Sequence, residues 1–104
     1  MATGRLATLD ITNAATDTQL YTVPSSKVAS FTLSLCNRNS TTVLVRVALT
    51  DSTSVGNDEY IVYDAPIYAN ETLRISGIVL NQGQFVYVRS NTTNVTAVAY
   101  GYEE

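Results

Sequence analysis

Tyr21–Leu49 reads YTVPSSKVASFTLSLCNRNSTTVLVRVAL, two long alternating runs around one polar knot. In Val28–Cys36, Ala29, Phe31, Leu33 and Leu35 alternate with Ser30, Thr32 and Ser34. In Thr42–Thr50, Val43, Val45, Val47 and Leu49 alternate with Thr42, Arg46, Ala48 and Thr50. A period of two carried by β-branched residues is the mark of half-buried strands. Asn37-Arg38-Asn39-Ser40-Thr41 between them is turn chemistry, because Asn tolerates left-handed backbone angles and its side chain can bond its own turn. The pattern predicts a β-hairpin with one apolar face. Such a hairpin is marginal alone and has to pack that face against a second sheet.

Outward from this stretch the same grammar continues. Arg5–Thr12 and Gln19–Val23 read as strands, the second stopped at Pro24, which cannot donate to a ladder. Asp51–Asp58 (DSTSVGND) is irregular and reads as a mobile loop. Glu59–Asp64 is a short strand broken by Ala65-Pro66, after which Ile67–Glu71 crosses to Thr72–Ser76. Gly77 interrupts that run and suggests a bulge or a sheet crossing. Ile78, Val79 and Leu80 lead to the turn Asn81-Gln82-Gly83-Gln84. Phe85–Ser90 and Asn94–Tyr102 read as a closing hairpin around Asn91-Thr92-Thr93. About seven or eight short strands at regular spacing predict an all-β, single-domain antiparallel two-sheet sandwich over 1–104, jelly-roll or immunoglobulin-like.

Composition agrees and excludes several function classes. The 104 residues suffice for one modest core, and no window carries helical spacing with capping signals. A formal charge of −3, without a basic run, argues against nucleic acid and against an anionic membrane surface. No apolar stretch reaches the roughly 20 residues of a membrane helix. The opening MATGRLATLDIT lacks a signal-peptide core, so the expectation is synthesis in a cytoplasm without processing. The one cysteine, Cys36, rules out an internal disulfide and is expected as a buried, inert thiol. With no histidine, zinc ligation and nucleophile–histidine catalysis lose their usual residues. No catalytic, cofactor or metal residue is assigned.

Other constellations have plainer readings. Asn-x-Ser/Thr matches at Asn39, Asn70, Asn91 and Asn94 fit turn composition better than glycosylation. Asp51, Asp58, Glu59 and Asp64 offer oxygen ligands for calcium, but their spacing follows no known calcium loop. Nothing marks a carboxylate pair facing one cleft, as glycoside hydrolysis would need. Tyr60, Tyr63, Tyr68, Tyr87, Tyr100 and Tyr102 supply the material for an aromatic contact stripe, since tyrosine couples apolar area to a polar tip. Arg38 and Arg46, with Arg74 and Arg89 on later strands, are candidates to meet acidic residues of a neighbouring subunit. The few lysines leave sheet edges unblunted, so coverage by a neighbour in an assembly is expected.

Several ordered segments carry a resemblance. Tyr21–Pro24 (YTVP) leads into a long strand ending at Cys36-Asn37-Arg38. Glu71-Thr72-Leu73 follows with Gly77 to Gly83, and Val98–Glu103 closes the chain. In this order they resemble small virion structural proteins of tailed bacteriophages, over nearly the whole length. The resemblance implies a non-enzymatic virion component, with a capsid decoration (cement) protein as the leading expectation. Its partners would be the major capsid protein or other virion proteins, in a trimer or other symmetric homo-oligomer. A tail, neck, baseplate or fibre module is the alternative, and a carbohydrate-binding module using surface tyrosines is a third.

Overall fold

The structure, a computed structural model, describes residues 3–104. Eight strands are present among them: β1 Thr3–Ile11, β2 Thr18–Thr22, β3 Val28–Asn37, β4 Val43–Thr50, β5 Tyr60–Ile67, β6 Thr72–Asn81, β7 Phe85–Ser90 and β8 Val95–Glu103. They form two four-stranded antiparallel sheets, β1-β8-β3-β6 and β2-β7-β4-β5, with no helix among the described residues. Each strand of the first half pairs with its mirror in the second: β1 with β8, β2 with β7, β3 with β6, β4 with β5. Two further pairings, β3 with β8 and β4 with β7, close the sheets. This is the double-sheet jelly roll.

The core is the set of inward positions that the alternation picks out. Phe31, Leu33 and Leu35 of β3 face Val43, Val45 and Val47 of β4 across the sandwich, joined by Val86, Val88, Val95, Ala97 and Ala99. Tyr21 meets Phe31 edge-on at 5.6 Å between centroids, tying β2 of one sheet to β3 of the other. Gly101 of β8 lies opposite Phe31 of β3. A Cβ there would lie 2.2 Å from the Ser30 carbonyl oxygen and 2.6 Å from Phe31 Cα, so no side chain fits.

Several expectations need correction. β3 and β4 do not form a hairpin, because they belong to opposite sheets and Asn37–Thr42 is an arch between them. The same holds for β7 and β8 around residues 91–94. An alternating pattern fixes which residues face the core, and both a hairpin and an arch present the same pattern. Ala65-Pro66 does not end β5. Proline is tolerated because β5 is an edge strand, where a missing N–H costs no ladder bond. Gly77 makes the bulge, one of the two readings its position allows, with Ser76-Gly77 opposite Thr32 and Gly77 at φ +76°, but β6 runs on through it from Thr72 to Asn81. Cys36 is half-buried on the outer face of β3 between Thr96 and Thr72, not in the core, since the inward set of that strand is the odd-numbered one.

Asn37 organises the β3–β4 arch. It is fully buried, and its Nδ2 donates to the carbonyls of Thr41 (2.9 Å), Ile67 (3.0 Å) and Tyr68 (3.1 Å). Its Oδ1 accepts from the Asn39 backbone N–H (2.9 Å) and Nδ2 (3.0 Å). One side chain thus stitches the β3–β4 arch to the end of β5. Buried polar atoms are tolerated when fully bonded, and this one is.

Irregularity is confined to the edges. The pairs β3–β8 and β4–β7 run without a register shift. Each of the four edge strands carries at least one extra residue against its neighbour: Leu6 on β1, Leu20 on β2, Tyr63-Asp64 against Arg46 and also Ile61 on β5, and Ser76-Gly77 on β6. Bulges kink and twist an edge away from strand addition. The edges expected to need a neighbour are blunted within the chain.

Candidate functional site

The candidate interface residues do not form one stripe. They divide between the outer faces of the two sheets. On the first sheet, Tyr100 and Tyr102 point outward from β8. Register places Tyr102 between Thr3 of β1 and Ser30 of β3, with Val79 of β6 beside Ser30. Tyr100 lies between Arg5 and Thr32. Val28 stands next to this group, its strand end bonded in both directions to the Glu104 backbone. Val79 is 63% exposed, Val28 46%, Tyr102 44% and Tyr100 40%. Four large apolar side chains therefore gather at one end of this face, whose remaining outward positions mix Ser and Thr with Arg5, Asp10, Cys36, Arg74 and Val98. Below them, Tyr21 Oη donates to the Glu103 carboxylate, and burial with that partner pushes the Tyr21 hydroxyl well above its ordinary pKa.

The outer face of the second sheet has different chemistry. Its bulge at Tyr63-Asp64 holds Asp64 at φ +50°, which turns both side chains toward Arg46. Arg46 Nε donates to Asp64 Oδ1 at 2.7 Å and Nη2 to Oδ2 at 3.3 Å, a two-pronged ion pair. The same guanidinium lies 4.0 Å from the Tyr63 ring centroid and 5.9 Å from that of Tyr60. The two rings meet edge-on at 5.1 Å. Arg46 is thereby clamped by a carboxylate and aromatic faces. Hydrogen bonding from Arg46 holds the Asp64 carboxyl below its usual range, and Arg89 adds to that pull.

Arg89 is the register partner of Arg46 on β7, so two arginines stand on neighbouring strands, and the one carboxylate bonded there, Asp64, lies on the β5 side of Arg46. Among the described residues Arg89 has no ion pair. A cavity of about 200 Å³ opens beside it, lined by Ala15, Leu44, Arg46, Asp64, Arg89 and Asn91. Ala15, at φ +54°, reaches the rim by donating its N–H to the Ser90 carbonyl at 2.8 Å. Asn91 exchanges two bonds with the Leu44 backbone, accepting on Oδ1 at 3.0 Å and donating from its own N–H at 3.0 Å.

The remaining candidates are scattered. Tyr87 is only 8% exposed and its hydroxyl donates to the Thr53 carbonyl, so it anchors the 51–59 loop over the sheet. Tyr68 stands 61% exposed just past β5. Arg38 pairs with Asp10, so both it and Arg46 find carboxylates within the chain. Of the acidic set, Asp51 accepts from Gln84 in the 81–84 turn, and Glu59 accepts from the Gly56 and Asp51 backbone N–H groups inside its own loop. Asn70 and Asn94 adopt left-handed angles, and Asn39 and Asn91 bond turns, as turn residues should. No family model, curated protein or solved structure matches the chain significantly. Ala15, Leu44 and Asn91 escaped sequence reading. The signal for them is the opposition of Arg46 and Arg89, which becomes visible only once β4 and β7 are known to pair.

Proposed function

We propose that this chain is a non-enzymatic structural subunit of a bacteriophage virion, acting as a capsid decoration protein that clamps neighbouring shell subunits. The observation that carries the reading is the exposed group Tyr100, Tyr102, Val79 and Val28 on the outer face of the first sheet. Aromatic and aliphatic side chains exposed on a strand face offer buried contact area with little ordering cost. The sequence resemblance to tailed-phage virion proteins supports it, and the jelly roll is an architecture recurrent in viral capsid domains. Fold alone names no function, so the weight rests on surface and sequence together. With all four edges bulged, the partner meets a face of the sandwich and not a sheet edge. Binding only to the assembled shell stabilises it by mass action.

Copy number per purified virion, by quantitative mass spectrometry, tests the position. A count comparable to the major capsid protein is expected. A low count matching tail proteins overturns the decoration reading in favour of a tail, neck, baseplate or fibre module. Tyr102→Asp should abolish binding to shells lacking the protein while leaving the fold intact, because residue 102 faces solvent.

A further inference from the structure

We propose that the Arg89 cavity on the outer face of the second sheet binds a hydroxylated carboxylate, namely a uronic acid unit of an acidic glycan. The first support is charge. Like charges directly opposite each other on neighbouring strands destabilise a sheet. Here the Arg46–Arg89 pair is offset by a single carboxylate, Asp64, leaving one positive charge at the cavity. A monoanion completes it. The second support is preorganisation. Arg46 and Asp64 are locked by their ion pair and by Tyr63, whereas Arg89 keeps its planar donor fork for a ligand carboxylate.

The third support is the mixture of polar groups. Asn91 spends its Oδ1 on the Leu44 N–H, which leaves its Nδ2 donors unspent among the described residues. Asp64 retains acceptor capacity beyond the two Arg46 bonds. Donors beside an acceptor suit a ligand whose carboxylate neighbours hydroxyl groups. Ala15 and Leu44 add a short apolar rim for the ring carbons. The volume has room for one sugar unit, well short of the clefts of about 300 Å³ and upward that enclose larger ligands. Nothing in this site depends on the tyrosine patch or on the virion assignment.

The test is titration of the intact chain, read by the 15N shifts of the Arg89 and Arg46 Nε–H groups, with D-glucuronate, D-glucose and propionate in parallel. Saturable movement of Arg89 with glucuronate is expected, with none from glucose. Propionate, which has the carboxylate but no hydroxyl to donate, should bind at least about tenfold more weakly, the factor that one hydrogen bond to the charged Asp64 is worth. Arg89→Gln removes the fork and Asn91→Asp replaces the Nδ2 donor while keeping the acceptor for Leu44. Each should weaken glucuronate binding at least about tenfold. Two separate substitutions guard against one misfolding. No binding, unchanged binding in both folded variants, or propionate equal to glucuronate overturns the proposal. The last outcome would instead assign the cavity to an acidic side chain of a partner protein. Virion copy number is unaffected by any of these results, so this proposal and the decoration reading fail separately.

Discussion

Replacing Asn37 by Asp tests whether the β3–β4 arch is held by a buried donor. The substitution is nearly isosteric and keeps an oxygen for the Asn39 N–H groups. It removes the NH2 that serves Thr41, Ile67 and Tyr68, and sets a second oxygen against three carbonyls. At pH 7 the new carboxyl must either ionise in a buried site or stay neutral. Staying neutral costs about 4 kcal/mol, from roughly three pH units above an unfolded value near 3.9 at 1.36 kcal/mol each. That figure is a ceiling on the ionisation cost. A neutral acid donates one bond, so the carbonyls it leaves unpaired add about 1 kcal/mol each. The expected loss is therefore about 4–6 kcal/mol at pH 7, a large share of the roughly 5–15 kcal/mol of a small domain. The sign with pH follows from linkage. The folded carboxyl has a raised pKa, so its stability contribution is fully present below the unfolded value and is lost as pH rises. Asn37→Asp should recover to a cost of about 2 kcal/mol near pH 4, whereas Asn37→Ala should cost about 2–3 kcal/mol at both pH values. Urea unfolding of the three proteins at pH 4 and 7, each referred to the wild type, measures this. Equal costs for Asn37→Asp at the two pH values, or a cost below about 1 kcal/mol, would refute the buried-donor account.

Three further outcomes follow from geometry. Gly101→Ala places a Cβ into the β3 backbone at Ser30 and Phe31 and should cost about 3 kcal/mol or more in urea unfolding, whereas Gly83→Ala meets no neighbour within 4 Å and carries only its turn strain. Tyr21→Phe removes the hydroxyl bonded to Glu103 and should cost about 1 kcal/mol at neutral pH. Because the folded Tyr21 pKa is raised, the wild type should lose stability as pH climbs above the unfolded value near 10, and a thermal-unfolding series should show the variant losing less. Asp64→Asn keeps a residue that tolerates the left-handed bulge and deletes the charge. The depressed Asp64 pKa gives stability present above its unfolded value and lost as pH falls, so the wild-type advantage should shrink below about pH 4 in an acid titration followed by circular dichroism.

The sequence was most legible where one residue speaks for itself. β7 begins and ends where its alternation does, Phe85 to Ser90, and the inward sets of β3 and β4 are those the period of two selects. Pairing was not legible, because Asn37–Thr42 carries the same polar turn residues whether the chain folds back within a sheet or arches to the other. Asn37 reads as a turn residue that bonds its own turn, and it does so at Thr41 and Asn39, but its burial depends on carbonyls thirty residues away. The Tyr63-Asp64 bulge left no glycine to announce it. Pro66, read as a strand end, was instead the sign of an edge. The aromatic stripe dissolved for the same reason: seven tyrosines can be counted in a sequence, but their faces follow from strand order.

Strand order also decides how the two candidate surfaces can work together. The Tyr100–Tyr102 group stands on the β1-β8-β3-β6 sheet and the Arg46–Arg89 site on the β2-β7-β4-β5 sheet, so the core separates them and they look in opposite directions. A shell covering the first would leave the second open to solvent. Each surface is also anchored on a register-perfect central pair, β3–β8 in one case and β4–β7 in the other, with the bulges pushed to the flanks. A rigid ladder under a contact surface limits the ordering cost on binding, while bulged edges discourage the strand-on-strand pairing that a flat sandwich invites. The division predicts that substitutions at Tyr102 and at Arg89 act independently. In the double variant Tyr102→Asp/Arg89→Gln, shell binding should match that of Tyr102→Asp alone and glucuronate binding that of Arg89→Gln alone, within the few tenths of a kcal/mol usual for distant sites. Coupling well beyond that range would mean that one partner spans both sheets, most simply by wrapping the end of the sandwich where the arches lie.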